Sequence, residues 1–377
     1  VRIVAAMSGG VDSSVAAALL VEEGHEVIGV HMKLHDTDAT SAGHCCGLDD
    51  ARDARRVADR LGIPFYVLDL REAFRRAVMD DLAAAYAAGR TPNPCVQCNA
   101  VLKFDVLLSR ARALGADALA TGHYARTDGA TLRVAADPDK DQSYFLWPIR
   151  PEALACTRFP LGGMTKPEVR AHAARLGLVT AQKPDSMEVC FLPDDDHTRF
   201  VAERFPELDA AGEIVDTDGR VLGHHDAYHR FTVGQRRGLR VASTQPLYVL
   251  RIDAAARRVV VGPAERLVAQ SAEVSAMRWL RPYRAGDVLH ARTRHRGALV
   301  PCGPVEVLDP GDDAARPVRV RIPFRAPARA AAPGQSLVLY DGDVIVAGGT
   351  VHSCGTAPGA EGDIPLRNAS PAPAAAP

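Results

Sequence analysis

The chain has 377 residues, 47% of them hydrophobic and 24% charged, which is ordinary for a soluble globular protein of two or three domains. No run approaches the ~20 apolar residues needed to span a bilayer. The opening apolar stretch leads into a glycine turn instead of a signal-peptide cleavage pattern, so a cytoplasmic protein with no membrane partner is expected, one whose eight Cys do not form a disulfide framework.

Residues 2–6 read as a short apolar strand, 8–10 as a turn, and 11–23 as a helix with Val15, Ala16, Leu19 and Leu20 on one face. A strand over 25–32, a helix over 49–61, a strand over 65–68, a helix over 72–88 and a strand over 118–121 follow. This β-α-β-α order predicts an α/β domain built on a parallel sheet, with ligands beyond the carboxyl ends of its strands. From about residue 196 the texture changes to short β-rich runs at 247–252, 258–261, 288–292, 318–322 and 336–340, an all-β signature. The expected division is 1–196, 197–270 and 271–355, with an Ala-, Pro- and Gly-rich tail over 356–377 that is expected to be disordered.

The formal net charge of −1 hides an asymmetry: residues 278–330 hold eleven Arg against five acidic residues, a balance that suits either a solvated face or a nucleic-acid surface. Among 45 basic residues only five are Lys (Lys33, Lys103, Lys140, Lys166, Lys183). An ammonium and a guanidinium are not interchangeable in a tight anionic pocket, so each surviving Lys is a candidate for a specific duty.

Met7-Ser8-Gly9-Gly10-Val11-Asp12-Ser13-Ser14 joins the first strand to the first helix. Two glycines permit close backbone approach and the helix N-terminus offers unpaired N–H groups, which together suit a phosphate or pyrophosphate. The Gly-Lys-Ser/Thr ending of the common nucleoside-triphosphate loop is absent. Further on, Thr91-Pro92-Asn93-Pro94-Cys95-Val96-Gln97-Cys98-Asn99 sets two Cys three apart behind a rigid Pro-Asn-Pro loop, a spacing open to redox or metal chemistry. Lys183-Pro184-Asp185-Ser186-Met187-Glu188-Val189-Cys190-Phe191 supplies a third Cys in a polar segment. Cys45-Cys46 lacks an obvious fourth metal ligand, His44, His224, His225 and His229 lack zinc spacing, and Cys156, Cys302 and Cys354 read as packing thiols.

The phosphate string resembles the pyrophosphate loop of the ATP pyrophosphatase superfamily, whose adenine nucleotide alpha hydrolase-like domains cleave ATP between its α and β phosphates and adenylate a carbonyl oxygen. Joined to the two Cys segments and to Thr121-Gly122-His123-Tyr124-Ala125-Arg126, Lys140-Asp141-Gln142-Ser143-Tyr144-Phe145-Leu146 and Phe231-Thr232-Val233-Gly234-Gln235-Arg236-Arg237-Gly238-Leu239, it resembles the bacterial tRNA 2-thiouridylase family over residues 2–354. That resemblance implies an ATP pyrophosphatase domain followed by a β-rich central domain and a C-terminal β-barrel, and an ATP-dependent sulfurtransferase acting on the wobble uridine of tRNA. It implies ATP held by Ala6, Met7, Ser8, Gly9, Gly10, Val11, Asp12, Ser13, Met32 and Gly122, with Mg²⁺ accompanying the leaving pyrophosphate. It makes Cys98 the nucleophile and Cys190 the persulfide carrier, loaded by a sulfur-donor protein such as a cysteine desulfurase or a relay protein. It brings His123, Lys140, Asp141, Gln142, Arg294, His295 and Gln335 to the tRNA. Cys95 stands where some relatives have Asp, and His295 where they have an aromatic residue.

Three alternatives stay open at this level: a thiolase carrying a [4Fe–4S] cluster on Cys95, Cys98 and Cys190, another adenylating enzyme of the superfamily, and a non-catalytic RNA-binding module. The second has no use for the paired Cys98 and Cys190, and failure of the chain to release AMP or pyrophosphate with ATP and tRNA would favour the third.

Overall fold

Strand β1 (Arg2–Ala6) is a continuous apolar run because it is covered on both faces, as in other parallel sheets. It pairs in parallel with β2 (Glu26–Lys33) and β4 (Ala118–Thr121), with Val4 opposite Ile28 and Leu119. Strand β3 (Phe65–Asp69) lies outside β2, and the two-residue strand Thr157–Arg158 lies outside β4. The five-stranded sheet therefore runs β3, β2, β1, β4, Thr157–Arg158, all parallel. Side chains alternate across it: Ile3, Ala5 and Met7 pack with helices α1 (Val11–Glu22) and α2 (Leu48–Leu61), while Val4 packs with Phe104, Leu107 and Leu108 on the other face. A computed structural model describes residues 1–36, 48–185, 189–192, 196–313 and 316–356; Cys45, Cys46, His44, Ser186, Met187, Glu188 and the tail from 357 lie outside them.

The Pro-Asn-Pro segment read as a loop is the start of a helix. Asn93 is its N-cap, accepting from the Val96 amide at 3.4 Å, and Pro94 fills the first helical position where no N–H is needed. The helix continues through a π-helical stretch, Cys98–Leu107, into Leu108–Ala113. A second π-helical stretch, Arg75–Met79, lies between Arg71–Phe74 and Asp80–Ala87. Phe74, Val78, Leu82 and Tyr86 from that run meet Cys98 and Leu102 in a separate apolar cluster that Phe191 and Phe200 close.

The β-rich remainder forms two sheets. Tyr248–Asp253, Arg258–Gly262, Gly212–Val215 and Val221–His225 make a four-stranded one around Ile214, Tyr228, Phe231, Val249 and Val259. A nine-stranded sheet is built on Val268–Trp279 and Val344–Thr356, flanked by Arg319–Arg329 and Ser336–Asp341. The strand Val268–Trp279 crosses the boundary drawn at 270. Two short strands of the N-terminal half complete that last sheet: Leu132–Arg133 pairs with Val344 and Ile345, and Arg126–Thr127 pairs with Leu132–Arg133. Asp343 seals the junction with ion pairs to Arg126 and Arg133 at 2.9 and 2.8 Å. Trp147 lies against the same sheet, donating to Ser336 Oγ at 3.0 Å, and a side chain at Gly348 would strike its ring at 2.4 Å. No helix among the described residues is long and apolar enough to cross a membrane.

Candidate active site

The loop between β1 and α1 is shaped by contacts that only glycine permits. Gly9 has φ +83°, and a Cβ there would lie 2.2 Å from the carbonyl oxygen of Asp50. Gly122, just after β4, approaches so closely that a Cβ would stand 2.7 Å from the Ser13 amide nitrogen and 2.9 Å from the Asp12 carbonyl carbon. Ser13 Oγ accepts from the Ser8 amide at 3.1 Å and Ser14 Oγ donates to the Gly10 carbonyl at 2.8 Å, so the hydroxyls hold the loop closed. Gly10 is the N-cap of α1 and has no side chain to occupy the first-turn amides, which leaves them for an anion. Met7 and Val11 turn their side chains into the core. The Met7 amide is already bonded to the Val30 carbonyl at 2.8 Å.

Beside this loop lies an ion network with no signature in the local sequence. Asp12 accepts from Lys166 Nζ at 2.7 and 2.9 Å and from the Tyr124 hydroxyl at 2.8 Å. Lys166 also reaches Asp185 at 2.7 Å, and Asp185 is shared with Lys140 at 2.7 Å and Arg170 at 3.0 Å. Burial alone would raise the Asp185 carboxyl, but Lys140 and Lys166 outweigh it and hold it below the usual carboxylate range. Burial, reinforced by Asp12, pushes the Tyr124 phenol well above its ordinary value, so it stays a hydrogen-bond donor. Lys183 bridges Asp50 and Asp53 at 2.7 Å each, tying α2 to the segment that leads to Cys190. The resemblance assigns roles to Asp12 and Lys140; Tyr124 and Asp185 lie in its motif strings without a role, and Lys166 and Arg170 lie outside them. The scarcity of Lys was the one signal in the sequence that pointed to Lys166.

The structure brings Cys98 and Cys190 together. Both belong to the apolar cluster around Phe74, Phe191 and Phe200, where Cys98 is buried and Cys190 half-buried, and Met32 at the end of β2 packs against the same cluster. Burial pushes the Cys98 thiol up to about 12, with Lys103 opposing and Cys190 and Cys95 adding to the rise. Cys95 is exposed, and neither it, Cys98 nor Cys190 is in a disulfide. Among the described residues no group of three or more His, Cys, Asp or Glu assembles as a metal site, so the three-thiolate cluster on Cys95, Cys98 and Cys190 finds no support. Next to the thiols, Lys103 Nζ lies 3.3 Å from His123 Nε2, and His123 Nδ1 lies 2.7 Å from Thr121 Oγ1.

The other residues expected at the RNA have varied surroundings. Buried Asp141 accepts from the amides of Ala135 and Ser143 and from the Ser143 hydroxyl, so its carboxylate shapes the loop. Gln142 Oε1 accepts from the Tyr124 amide at 3.0 Å. Gln335 Nε2 donates to the Thr91 carbonyl at 2.9 Å, linking the C-terminal sheet to the segment before Cys95. His295 packs on Phe145 with ring centroids 4.6 Å apart, and its Nδ1 is buried without a hydrogen-bond partner. Arg294 is exposed on the same turn, while Arg296 reaches across to the Asp139 carbonyl.

Three family models match in succession: one described as a tRNA methyl transferase HUP domain over residues 1–194, its PRC-barrel domain over 198–263, and an aminomethyltransferase beta-barrel domain over 269–351. Curated relatives align along nearly the whole chain. The tRNA-specific 2-thiouridylase of Geobacter metallireducens is 50% identical over 368 residues, covering 94% of this chain and 98% of its own. Those of Geotalea uraniireducens and Magnetococcus marinus are each 48% identical, covering 93% of this chain and 95% and 98% of their own.

Proposed function

The chain belongs to the tRNA-specific 2-thiouridylase family, and on that premise we propose that it is an ATP-consuming tRNA sulfurtransferase that replaces O2 of the wobble uridine with sulfur. A uracil C2 carbonyl is a poor electrophile, so the reaction needs its oxygen converted into a leaving group. The uridine O2 attacks the α-phosphorus of ATP and pyrophosphate departs, leaving an adenylated base. The first-turn amides of α1 and the Ser8–Ser13 loop receive the phosphates, and Lys166 stands beside them with an ammonium that can follow the developing charge. Mg²⁺ sites commonly combine one or two carboxylates with phosphate oxygens and water; Asp12, facing the loop, fits that role, and the ion would neutralise the leaving pyrophosphate.

Sulfur arrives on Cys190 as a persulfide formed by a sulfur-donor protein. The Cys98 thiolate attacks the inner sulfur of that persulfide, the S–S bond breaks, and the outer sulfur leaves as hydrosulfide. Hydrosulfide adds to C2, AMP departs, and the Cys98–Cys190 disulfide is returned to thiols by an external reductant. The observation that carries this division is the meeting of Cys98 and Cys190 in one apolar cluster that also receives Met32 from the nucleotide side. The anticodon loop fits as substrate because its bases can be splayed from the stack at modest cost. Exposed Arg294 and the Arg-rich 278–330 segment supply phosphate contacts, and a cytoplasmic location accords with the substrate.

The test uses the full chain with ATP, unmodified tRNA and a persulfide donor, reading 2-thiouridine and AMP by mass spectrometry. Cys190→Ser is expected to lose persulfide labelling, and Cys98→Ser to accept the label without releasing thiolated tRNA. Label on Cys98 in place of Cys190 would reverse the roles, and 2-thiouridine formation without AMP release would remove adenylation from the scheme.

A further inference from the structure

Lys103 stands apart from the other four lysines. Lys33 pairs with Asp36, Lys140 with Asp185, Lys166 with Asp12 and Asp185, and Lys183 with Asp50 and Asp53. Lys103 forms no ion pair with a carboxylate among the described residues; its partner is the imidazole of His123 at 3.3 Å. An ammonium has donors only, so Nε2 of His123 must be the acceptor and the ring proton must sit on Nδ1, donating to Thr121 Oγ1 at 2.7 Å. Burial, then Lys103 itself, holds this imidazole well below the ordinary histidine range, so the ring is neutral. It fixes the ammonium in place without cancelling its charge, and a half-buried cation of this kind favours the arrival of an anion.

The group next to it that can become an anion is the Cys98 thiol, five residues earlier on the π-helical segment. Among the described residues, the titratable groups around that thiol are Cys95 and Lys103 on its own helix, Cys190 on the 189–192 segment, and Tyr86 in the cluster from Asp80–Ala87. Among these, Lys103 is the cation. A buried thiol is a poor nucleophile until it ionises, and a fixed ammonium beside it stabilises the ionised form without taking part in bond making.

We propose that Lys103 is a positioning residue for sulfur transfer: held by His123 and Thr121, its ammonium is the counter-ion of the Cys98 thiolate. Cys98 gives its proton to solvent, Lys103 stays protonated throughout, and the sulfur is then ready to attack the Cys190 persulfide. This rests on the reading of Cys98 as the nucleophile.

Below its pKa a thiol alkylates in proportion to its thiolate fraction, so the rate at fixed pH reports the counter-ion directly. Full-length protein is treated with iodoacetamide, and the Cys98 peptide is quantified against that of Cys302, a buried thiol in the C-terminal sheet whose ionisation burial also pushes up to about 12. Lys103→Met and Lys103→Gln should slow Cys98 alkylation about tenfold or more, the effect of losing one close opposite charge, while Lys103→Arg stays within roughly threefold and Cys302 is unaffected. Thiolation by Lys103→Gln should fall in kcat more than in KM for tRNA and recover as pH is raised. Equal Cys98 alkylation in wild type and both neutral variants overturns the proposal, as does an effect of the same size on Cys302. Loss of tRNA affinity with an unchanged alkylation rate would instead make Lys103 an RNA phosphate contact, which also overturns it. The underlying reading fails separately, if Cys98→Ser still thiolates tRNA.

Discussion

Gly122→Ala is the sharpest perturbation of the nucleotide site, because it adds one methyl group at a point where two backbones touch. The new Cβ would lie 2.7 Å from Ser13 N, 2.9 Å from Asp12 C and 3.0 Å from Ser13 Cα, and must withdraw by roughly 0.7 Å to reach the 3.4 Å of ordinary contact. All three neighbours are backbone atoms of the first turn of α1, so no side-chain rotation relieves the clash, and the segment after β4 and the phosphate loop must move apart. Overpacking of this kind costs about 1–3 kcal/mol. For a domain of this size that lowers the melting midpoint by roughly 2–4 °C per kcal/mol. Losing one charge-assisted hydrogen bond to a phosphate, about 1.5–3 kcal/mol, weakens ATP binding at least about tenfold. Gly163→Ala is the matched control: a Cβ there meets nothing within 4 Å, so it should stay within about 0.5 kcal/mol of wild type. Thermal melts and calorimetric titration of a non-hydrolysable ATP analogue give both readings. Wild-type nucleotide affinity in Gly122→Ala would refute the placement of the phosphates against this turn.

Lys166→Met leaves Asp12 and Asp185 facing each other without their shared ammonium. With Asp12 partly exposed, the loss of stability should reach up to about 3 kcal/mol, and AMP release should stop; an unchanged melting midpoint would show that the bridge contributes nothing. Arg294→Glu should weaken tRNA binding and lower its salt dependence by about one phosphate contact while ATP binding persists; identical affinity across a salt series would make the Arg-rich turn ordinary solvated surface. Stability should also fall on mild acidification. His31 and His123 have folded-state values depressed by burial, so as pH drops below about 6.5 the unfolded chain takes up protons that the folded chain refuses. Each such histidine adds up to about 1.4 kcal/mol of lost stability per pH unit until its folded-state value is reached. Urea midpoints measured from about pH 7.5 to about pH 5 should flatten in His123→Gln, and a curve parallel to wild type would exclude His123 from that loss.

What could be read from sequence was local. The strand, the glycine turn and the helix N-terminus that make the phosphate loop lie within residues 2–22, and the apolar runs on either side are short and uninterrupted, so pattern and chemistry agree. The 94–113 helix is obscured by its own start signal: Asn and Pro serve in turns as well as at helix N-termini, and only the following residues decide between the two. The two longest strands, Val268–Trp279 and Val344–Thr356, escaped because register shifts break their alternation; Ala276 lies at φ +50° and Gly348 and Gly349 interrupt the apolar sequence. The ion network is harder still, since Lys166 and Asp12 are 154 positions apart and Tyr124 and Asp12 are 112 apart, and no periodicity records such pairs. The five lysines show how far composition can go. In a chain where Arg supplies most cations, their survival marked residues in tight or anionic surroundings, and four of them do close on carboxylates. Composition could not distinguish these from Lys103, because the difference lies in the partner: a carboxylate neutralises an ammonium, whereas the neutral imidazole of His123 only holds it in place and leaves its charge to act on Cys98.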